Sequence, residues 1–536
     1  LWDVTAKQDM AASCDSHQPF SPPGGLALPV VKPAQYGTLE PGRWRLNGAY
    51  APFPDEMDSV QWGLWSAETS DENGVMARPV TLRLAFDSPH ASAGLTLYFD
   101  TAADEWANLV TAVWYNRQGQ EMSRMEAYPD GPGFYLENKV EGYYGLALTF
   151  RATNLPHRYV KLFGLEFGTR LRFAGAEIVE ARLLEEADPT GAGLPGGELE
   201  LKAYSAEGLF SLLNPRGYHG LLQRGQALAV TERVDGEAVP MGTYYLTEWG
   251  NETGRVSTFK AADMIGLLEA QPHPGGIYTG QTLAAFAAEL LGERPHEVDA
   301  AVAQTPLHGW LPAGNARSAL QQAAFAAGAM ARCRRDGALY IGPPPQKDGA
   351  LIPLGRKLGQ SEVSLQPFIT AAQVTAHSYA QTGAERELFR AELPRGQSTV
   401  AFAKPVYGLR AEGAAIVEAH PNHAVLELAA EGEAALFGRE YQDNATVVRL
   451  ADGDLPAGAM ENVVKVENAT LVSPANAAAV AQRLLAQNKR RYRKTFQIRV
   501  RGEQPGDTLL VESFGGQRLH GAIETMETDL AGGFTA

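Results

Sequence analysis

Two short β-rich runs, Tyr244-Tyr245-Leu246 and Val256–Phe259, frame the stretch from Met241 to Glu269, and Trp249-Gly250-Asn251-Glu252-Thr253-Gly254 lies between them. Gly and Asn accept positive φ at little cost, so this hexapeptide reads as the reversal of a hairpin. After Lys260-Ala261-Ala262-Asp263 the apolar positions Met264, Ile265, Leu267 and Leu268 take up a helical spacing, which predicts a short helix. A hairpin closed by a helical turn is an element of a barrel or sandwich, and it carries no catalytic group.

The same reading applied along the chain gives an all-β first third. Val80–Phe86, Gly94–Phe99, Leu109–Tyr115, Tyr144–Phe150 and Tyr159–Phe167 alternate over strand lengths, separated by Asp, Gly, Asn or Pro clusters, as in a β-sandwich. Ala176–Glu186 is a structured run ending at Asp188-Pro189, Leu199–Tyr204 is a further strand, and Leu228–Val234 with the hairpin completes a barrel-like set. Thr279–Gly292 then brings Leu283, Phe286, Leu290 and Leu291 onto one helical face, and a second helix starts at Asn315 with small residues inward. Ala329–Cys333 and Ala338–Ile341 form a hairpin, and Ala371–Tyr379 is an alternating strand. From about residue 381 to 440 short strands mix with Gly and Pro as an elaborated excursion. Ser473-Pro474 predicts the start of a last helix with Val480, Leu484 and Leu485 inside.

Composition narrows the class. At 536 residues the chain needs three or four cores. Hydrophobic content of 45% and charge of 20% are those of a globular protein, and no run reaches the roughly 18 apolar residues of a membrane span. Leu1 in first position is expected of a trimmed chain. The two cysteines, Cys14 and Cys333, stand far apart, which argues against a disulfide scaffold or a cysteine-rich zinc site and fits a reducing compartment. A net charge of −16 disfavours wrapping a nucleic-acid backbone, though an acidic wall lets DNA pass without sticking.

Candidate chemistry is sparse. Six of the eight Trp lie in the first third, and Trp62, Trp65 and Trp106 sit near turns, where an indole can stack on the C–H face of a sugar; Trp114 lies inside a strand and reads as core. Asp71-Glu72-Asn73-Gly74 suits a Ca²⁺ ion or a plain polar turn, and the turn is preferred. Glu185 and Glu186 point to opposite faces of a strand, so they make no acid/base pair. His420 and His423 have metal-ligand spacing without a third ligand, and His308 stands alone; both are read as structural. Lys489-Arg490-Arg491-Tyr492-Arg493-Lys494 is the most basic run, read as a helix end entering a solvated strand.

Three stretches resemble phage tail-tip (baseplate) hub proteins: Gly242–Leu246 with Phe259–Asp263; Leu307–Pro312 with Ala319–Phe325; and Pro505-Gly506-Asp507 with Ala522–Leu530 and Gly532-Gly533-Phe534. Val113–Gln120 and Thr149–Leu162 resemble galactose-binding-like, carbohydrate-binding sandwich modules. The resemblance implies a mainly β, multidomain chain: 1–19 as a strand of the first barrel, 20–162 as an inserted sandwich, 163–270 as a first hub barrel, 271–345 as a small α+β bridge, and 346–536 as a second barrel. It implies a non-enzymatic virion protein without cofactor or metal, assembled in the host cytoplasm. The chain would be a homotrimer closing the tail tube, contacting distal tail, tube, tape-measure and receptor-binding or tail-fibre proteins, with a host glycan as ligand and no sequence-specific nucleic acid. Tyr244, Tyr245, Trp249, Arg491 and Arg493 are the expected assembly residues. A carbohydrate-binding adhesin and a cell-wall hydrolase stay open as alternatives.

Overall fold

The computed structural model describes residues 2–27, 38, 40–42, 63–168, 171–214, 217–234, 237–344, 349–455 and 458–531. It is mainly β and multidomain. Two compact units are present: one holds Leu1–Glu177, Tyr204–Gln226 and Asn251–Ser257, the other Ile178–Ala203, Ala227–Gly250 and Thr258–Ala536.

In the first unit, β1 (Met10–Cys14), β2 (Leu64–Thr69), β3 (Val75–Tyr98), β4 (Ala107–Tyr115), β5 (Glu121–Ala127), β6 (Gly133–Thr153), β7 (Tyr159–Leu162) and β8 (Gly164–Glu166) build a sandwich. The main sheet runs β1-β3-β6-β4-β5, with β8 on β3, and β2 pairs β7. Trp114, Phe99, Phe150, Phe167, Leu82 and Leu95 are fully buried inside it. Two expectations change here. The runs at Val80–Phe86 and Gly94–Phe99 are one long strand, kept continuous across register shifts between Ala85 and Gly94. Gly94 is required at the last of these, because at φ 153° a Cβ would lie 2.1 Å from the Leu136 carbonyl oxygen. The N-terminal strand also belongs to the sandwich rather than to a barrel, since Met10–Cys14 pairs with Phe86–Leu82.

The segment before β1 is clasped by a buried imidazole. His90 Nδ1 lies 2.6 Å from Asp3 Oδ2 and Nε2 lies 2.8 Å from Asp9 Oδ1, while the Thr5 and Ser88 hydroxyls donate to the same two carboxylates. Burial raises the Asp3 carboxyl, but bonds from Thr5 and His90 outweigh it and hold the group below its usual value; Asp9 is lowered in the same way. A carboxylate with a lowered folded-state pKa stabilises above the unfolded value near 4, and that contribution is lost as pH falls through the folded value. Acid unfolding of this unit is therefore expected to steepen below about pH 4, and Asp3→Asn to flatten the slope when melting is followed against pH.

The second unit takes in β9 (Ile178–Glu186), β11 (Ala227–Val234) and most of β10 (Glu198–Tyr204), β12 (Glu237–Thr253) and β13 (Val256–Ala262), which lead into α1 (Met264–Ala270). The hairpin is longer than its sequence suggests. Trp249–Thr253 continues β12, and the reversal shrinks to Gly254-Arg255, where the Thr253 hydroxyl accepts the Arg255 and Val256 N–H groups. Asp263 caps α1: Oδ1 accepts from Ile265 N and Gly266 N, and Oδ2 from Gly197 N at 2.7 Å.

Next come β14 (Pro272–His273), β15 (Gly276–Thr282), α2 (Leu283–Leu291), β16 (His296–Val298), α3 (Ala300–Ala303), β17 (Pro306–Leu311), β18 (Gly314–Asn315), α4 (Ala316–Ala326), β19 (Met330–Cys333) and β20 (Leu339–Gly342). The predicted helix from Thr279 starts four residues later, because Gly276–Thr282 pairs with Pro306–Leu311 and Thr282 becomes the cap. Beyond it lie β21 (Ala350–Ile352), β22 (Lys357–Leu365), β23 (Ala371–Ala376), β24 (Tyr379–Ala380), β25 (Arg386–Leu393), β26 (Gly396–Ala401), β27 (Val406–Glu412), β28 (Ala415–His420), β29 (His423–Leu428), β30 (Gly432–Glu440), β31 (Gln442–Asp443), β32 (Thr446–Ala451) and β33 (Val463–Val466). The chain closes through α5 (Ala477–Asn488), β34 (Tyr492–Ile498), β35 (Thr508–Glu512), β36 (Arg518–Ala522) and β37 (Thr525–Asp529). Asn476, not Ser473, is the residue at the α5 N-terminus.

Residues 346–536 do not form one barrel. β37 returns to the first sheet, ordered β11-β12-β13-β10-β9-β37, with Thr525–Asp529 facing Glu186–Arg182. β23 and α5 join α1, α2 and α4 in one apolar core around Phe286, Leu320, Phe325, Val374 and Leu484. β21, β22, β34, β35 and β36 close over Ile352, Ile498, Leu509 and Val511. The excursion is a small sandwich of two three-stranded sheets, β25-β30-β27 and β26-β29-β28, over Leu426, Leu428 and Leu436.

Candidate glycan-binding rim and assembly surface

Three loops at one end of the first sandwich are bonded into a rigid rim. Asn154 is its centre: its backbone N–H donates to the Trp106 carbonyl, its Oδ1 accepts the Trp106 N–H at 3.0 Å, and its Nδ2 donates to the Asp104 carbonyl at 3.0 Å. Arg158 Nε donates to Glu105 at 2.8 Å and Nη1 to the Pro156 and His157 carbonyls. Asp71 Oδ1 accepts the Asn73 and Val75 N–H groups, so this loop is an Asx-type turn whose carboxylate serves its own backbone. Asp104 (φ 56°) and His157 (φ 54°) are the two non-glycine residues with positive φ among the described residues, and both sit in this rim. Such backbones persist only where the surroundings fix them.

Around the rim Asp104, Leu155, His157 and Tyr128 are exposed, Tyr128 at 66%. Trp106 is half-buried, with its indole N–H held by the Pro129 carbonyl at 2.9 Å. An indole held by the residue that follows the exposed Tyr128, with short polar groups on the same rim, suits a polyol, whose C–H faces stack and whose hydroxyls hydrogen-bond. Trp65 is not part of such a surface. It is 5% exposed, packed edge-on to Phe20 and Phe163, with the Lys161 ammonium 5.0 Å from its ring. Trp62 lies outside the described residues. The sequence pattern gives no sign that the loops of Tyr128, Asp104 and His157 meet; Asp104 and His157 turn in the left-handed region there.

Below the rim, Lys161 Nζ is 2.8 Å from both Glu40 oxygens and 2.7 Å from Glu105 Oε2. Burial pushes the Glu40 carboxyl up, and the adjacent Lys161 charge more than reverses this.

The expected assembly residues separate into two places. Tyr244 is core of the six-stranded sheet, its phenol raised by burial; Tyr245 packs on the helical core, and Trp249 is half-buried on β12. Arg491 lies 3.4 Å over the Phe368 ring and donates to the Gln366 carbonyl, and Arg493 pairs with Glu524. These two arginines stand on the β22–β34 ribbon, where Leu365 pairs Tyr492 and Val363 pairs Lys494. Leu358, Val363, Leu365 (56%), Phe368 and Tyr492 (66%) are exposed along it. The β22–β34 ribbon buries Ile498 in the core it shares with β21, β35 and β36, and it presents an apolar, basic surface on a chain of net charge −16.

His420 and His423 form the last cross-strand pair of the β28–β29 hairpin, with rings 4.6 Å apart, and His308 lies on β17. Among the described residues no group of three or more His, Cys, Asp or Glu is arranged to hold a metal.

No family model matches the chain, and no curated protein matches it. Among solved structures, the chain is similar to a tail protein from Neisseria meningitidis MC58 at 13% identity, TM-score 0.41, covering 66% of this chain and 90% of that one. It is similar to the 43 kDa tail protein of prophage MuSo2 from Shewanella oneidensis at 12% identity, TM-score 0.39, covering 66% and 92%. A family 32 carbohydrate-binding module from C. perfringens NanJ, in complex with galactose, matches at 9% identity and TM-score 0.19, covering 30% of this chain and 94% of that one.

Proposed function

We propose that the chain is a structural protein of a phage-type tail, acting at the tip or baseplate as a trimeric hub, with a glycan-binding sandwich. One observation carries the reading. The stretches Gly242–Asp263 and Thr525–Asp529, which bear the two most specific hub-like patterns, are far apart in sequence and share one sheet. The titratable clusters described above are engaged in internal bonds, which suits a scaffold. In this reading the β22–β34 ribbon is covered by a second copy of the chain. Distal tail, tube, tape-measure and receptor-binding proteins are the further partners, and the tail tip is the location.

The ribbon makes this testable. Leu365→Glu combined with Tyr492→Lys, which sets opposite charges across the strand pair, is expected to weaken self-association about 100-fold in sedimentation velocity. Unchanged association would remove the ribbon from the interface. For the sandwich, a glycan array probed with the full chain is expected to give binding that Tyr128→Ala weakens about tenfold. Trp106→Ala is expected to abolish it. An array without signal would leave the rim without a sugar ligand.

A further inference from the structure

Beyond the β24–β31 ladder at its base, the small sandwich meets the helical layer through a buried turn flanked by histidines. Pro421-Asn422 links β28 to β29, and Asn422 is 1% exposed. Its Nδ2 donates to the Pro274 carbonyl at 2.7 Å and the Leu311 carbonyl at 2.8 Å, and its Oδ1 accepts the Trp310 indole N–H at 2.6 Å. The socket is shaped by Gly275 (φ +69°): a Cβ there would lie 2.2 Å from the Leu311 carbonyl oxygen and 2.4 Å from Asn422 Nδ2.

Both the peg and the socket hang on a histidine lone pair. His420 Nδ1 accepts the Asn422 N–H at 3.2 Å, and His273 Nδ1 accepts the Gly275 N–H at 3.0 Å. Only an unprotonated Nδ1 accepts; an imidazolium carries hydrogen on both nitrogens and can only donate. Protonation of either ring therefore sets N–H against N–H at the contact that holds the sandwich.

The surroundings favour neutral rings. His420 is lowered by burial and by the neighbouring His423 and His273, with Glu418 opposing; His273 is lowered by burial, with Glu289 opposing. Glu418 comes from β28 and lies 3.2 Å from His423 Nε2, and Glu289 comes from α2, whose Phe286 ring packs on His273. β15, β17 and β18 face the turn with Gly276, Trp310 and Gly314, which are uncharged.

We propose that the Pro421-Asn422 peg is a proton-sensitive joint, with His273 and His420 as its sensors, which releases the small sandwich from the helical layer under mildly acidic conditions. The sign follows from linkage. The undocked rings bind protons more readily than the docked ones, so docking is at full strength above about pH 6.5 and weakens as pH falls below it. The joint does not depend on the tail reading.

Hydrogen exchange of the full chain at pH 7.5 and 5.5, corrected for intrinsic rates, tests it. Protection of peptides spanning 272–278 and 417–424 is expected to fall about tenfold or more at pH 5.5, with 432–440 still protected. Asn422→Ala is expected to show the low protection at both pH values. His273→Asn with His420→Asn, which keeps an acceptor at the Nδ1 position without titrating, is expected to remove the pH dependence. Equal protection of the unaltered chain at both pH values would overturn the joint, as would a drop that survives in the double variant.

Discussion

Lys161→Ala is expected to lower the stability of the first sandwich by about 3–5 kcal/mol, seen as an early melting transition shifted down by about 10 °C. Lys161 is the only cation bonded to Glu40 among the described contacts, and both side chains are buried. Glu105 keeps Arg158 at 2.8 Å, but Glu40 is left with the Thr38 hydroxyl and the Tyr159 N–H. An unpaired carboxylate in that setting costs far more than the pair contributes. Two companion variants separate the causes. Lys161→Met restores volume without charge and should remain destabilised, whereas Lys161→Met with Glu40→Gln should recover most of the loss. The pH sign also differs. In the unaltered protein Glu40 sits below its usual value, so its contribution is present above about pH 4.3 and lost on acidification. Without Lys161 burial is opposed only by the Thr38 and Tyr159 donors, so Glu40 is expected to rise and the deficit of the variant to narrow as pH is lowered from 7 towards 5.

The second large effect is expected at Asp263→Ala, about 2–4 kcal/mol in urea unfolding of the second unit. The substitution leaves the N–H groups of Gly197, Ile265 and Gly266 without their acceptor at the buried start of α1. Asp263→Asn keeps one acceptor oxygen and should lose less than half as much. Burial raises this carboxyl despite its three backbone donors, so the folded state holds its proton more tightly and the Asp263 contribution declines as pH rises through the folded value. A full loss on Asp263→Asn would point to the charge rather than to the cap.

Local pattern made some of this legible. Tyr244–Leu246 and Val256–Phe259 read as strands because their alternation survives without context, and Trp114 reads as core for the same reason; it is fully buried. What pattern could not carry was pairing across long separations. Nothing local tells Thr525–Asp529 to bond β9 rather than a nearer strand. The residue most involved in docking the small sandwich, Asn422, looks like an ordinary Pro-Asn turn, because its partners Pro274, Trp310 and Leu311 are more than 100 residues away. Trp65 failed as a sugar platform on the same ground. Proximity to a turn suggested exposure, but the packing of Phe20 and Phe163 decides it. The rim depends on two left-handed backbones at Asp104 and His157, residue types that adopt this conformation more readily than most, but no local pattern shows that their two loops meet.

The most direct test of the proposed assembly role is the mass of the full chain in dilute solution. Mass photometry is expected to show a dominant species of three chains of 57.7 kDa, with a threefold ring in negative-stain images. A single-chain species at every concentration up to the micromolar range would contradict it.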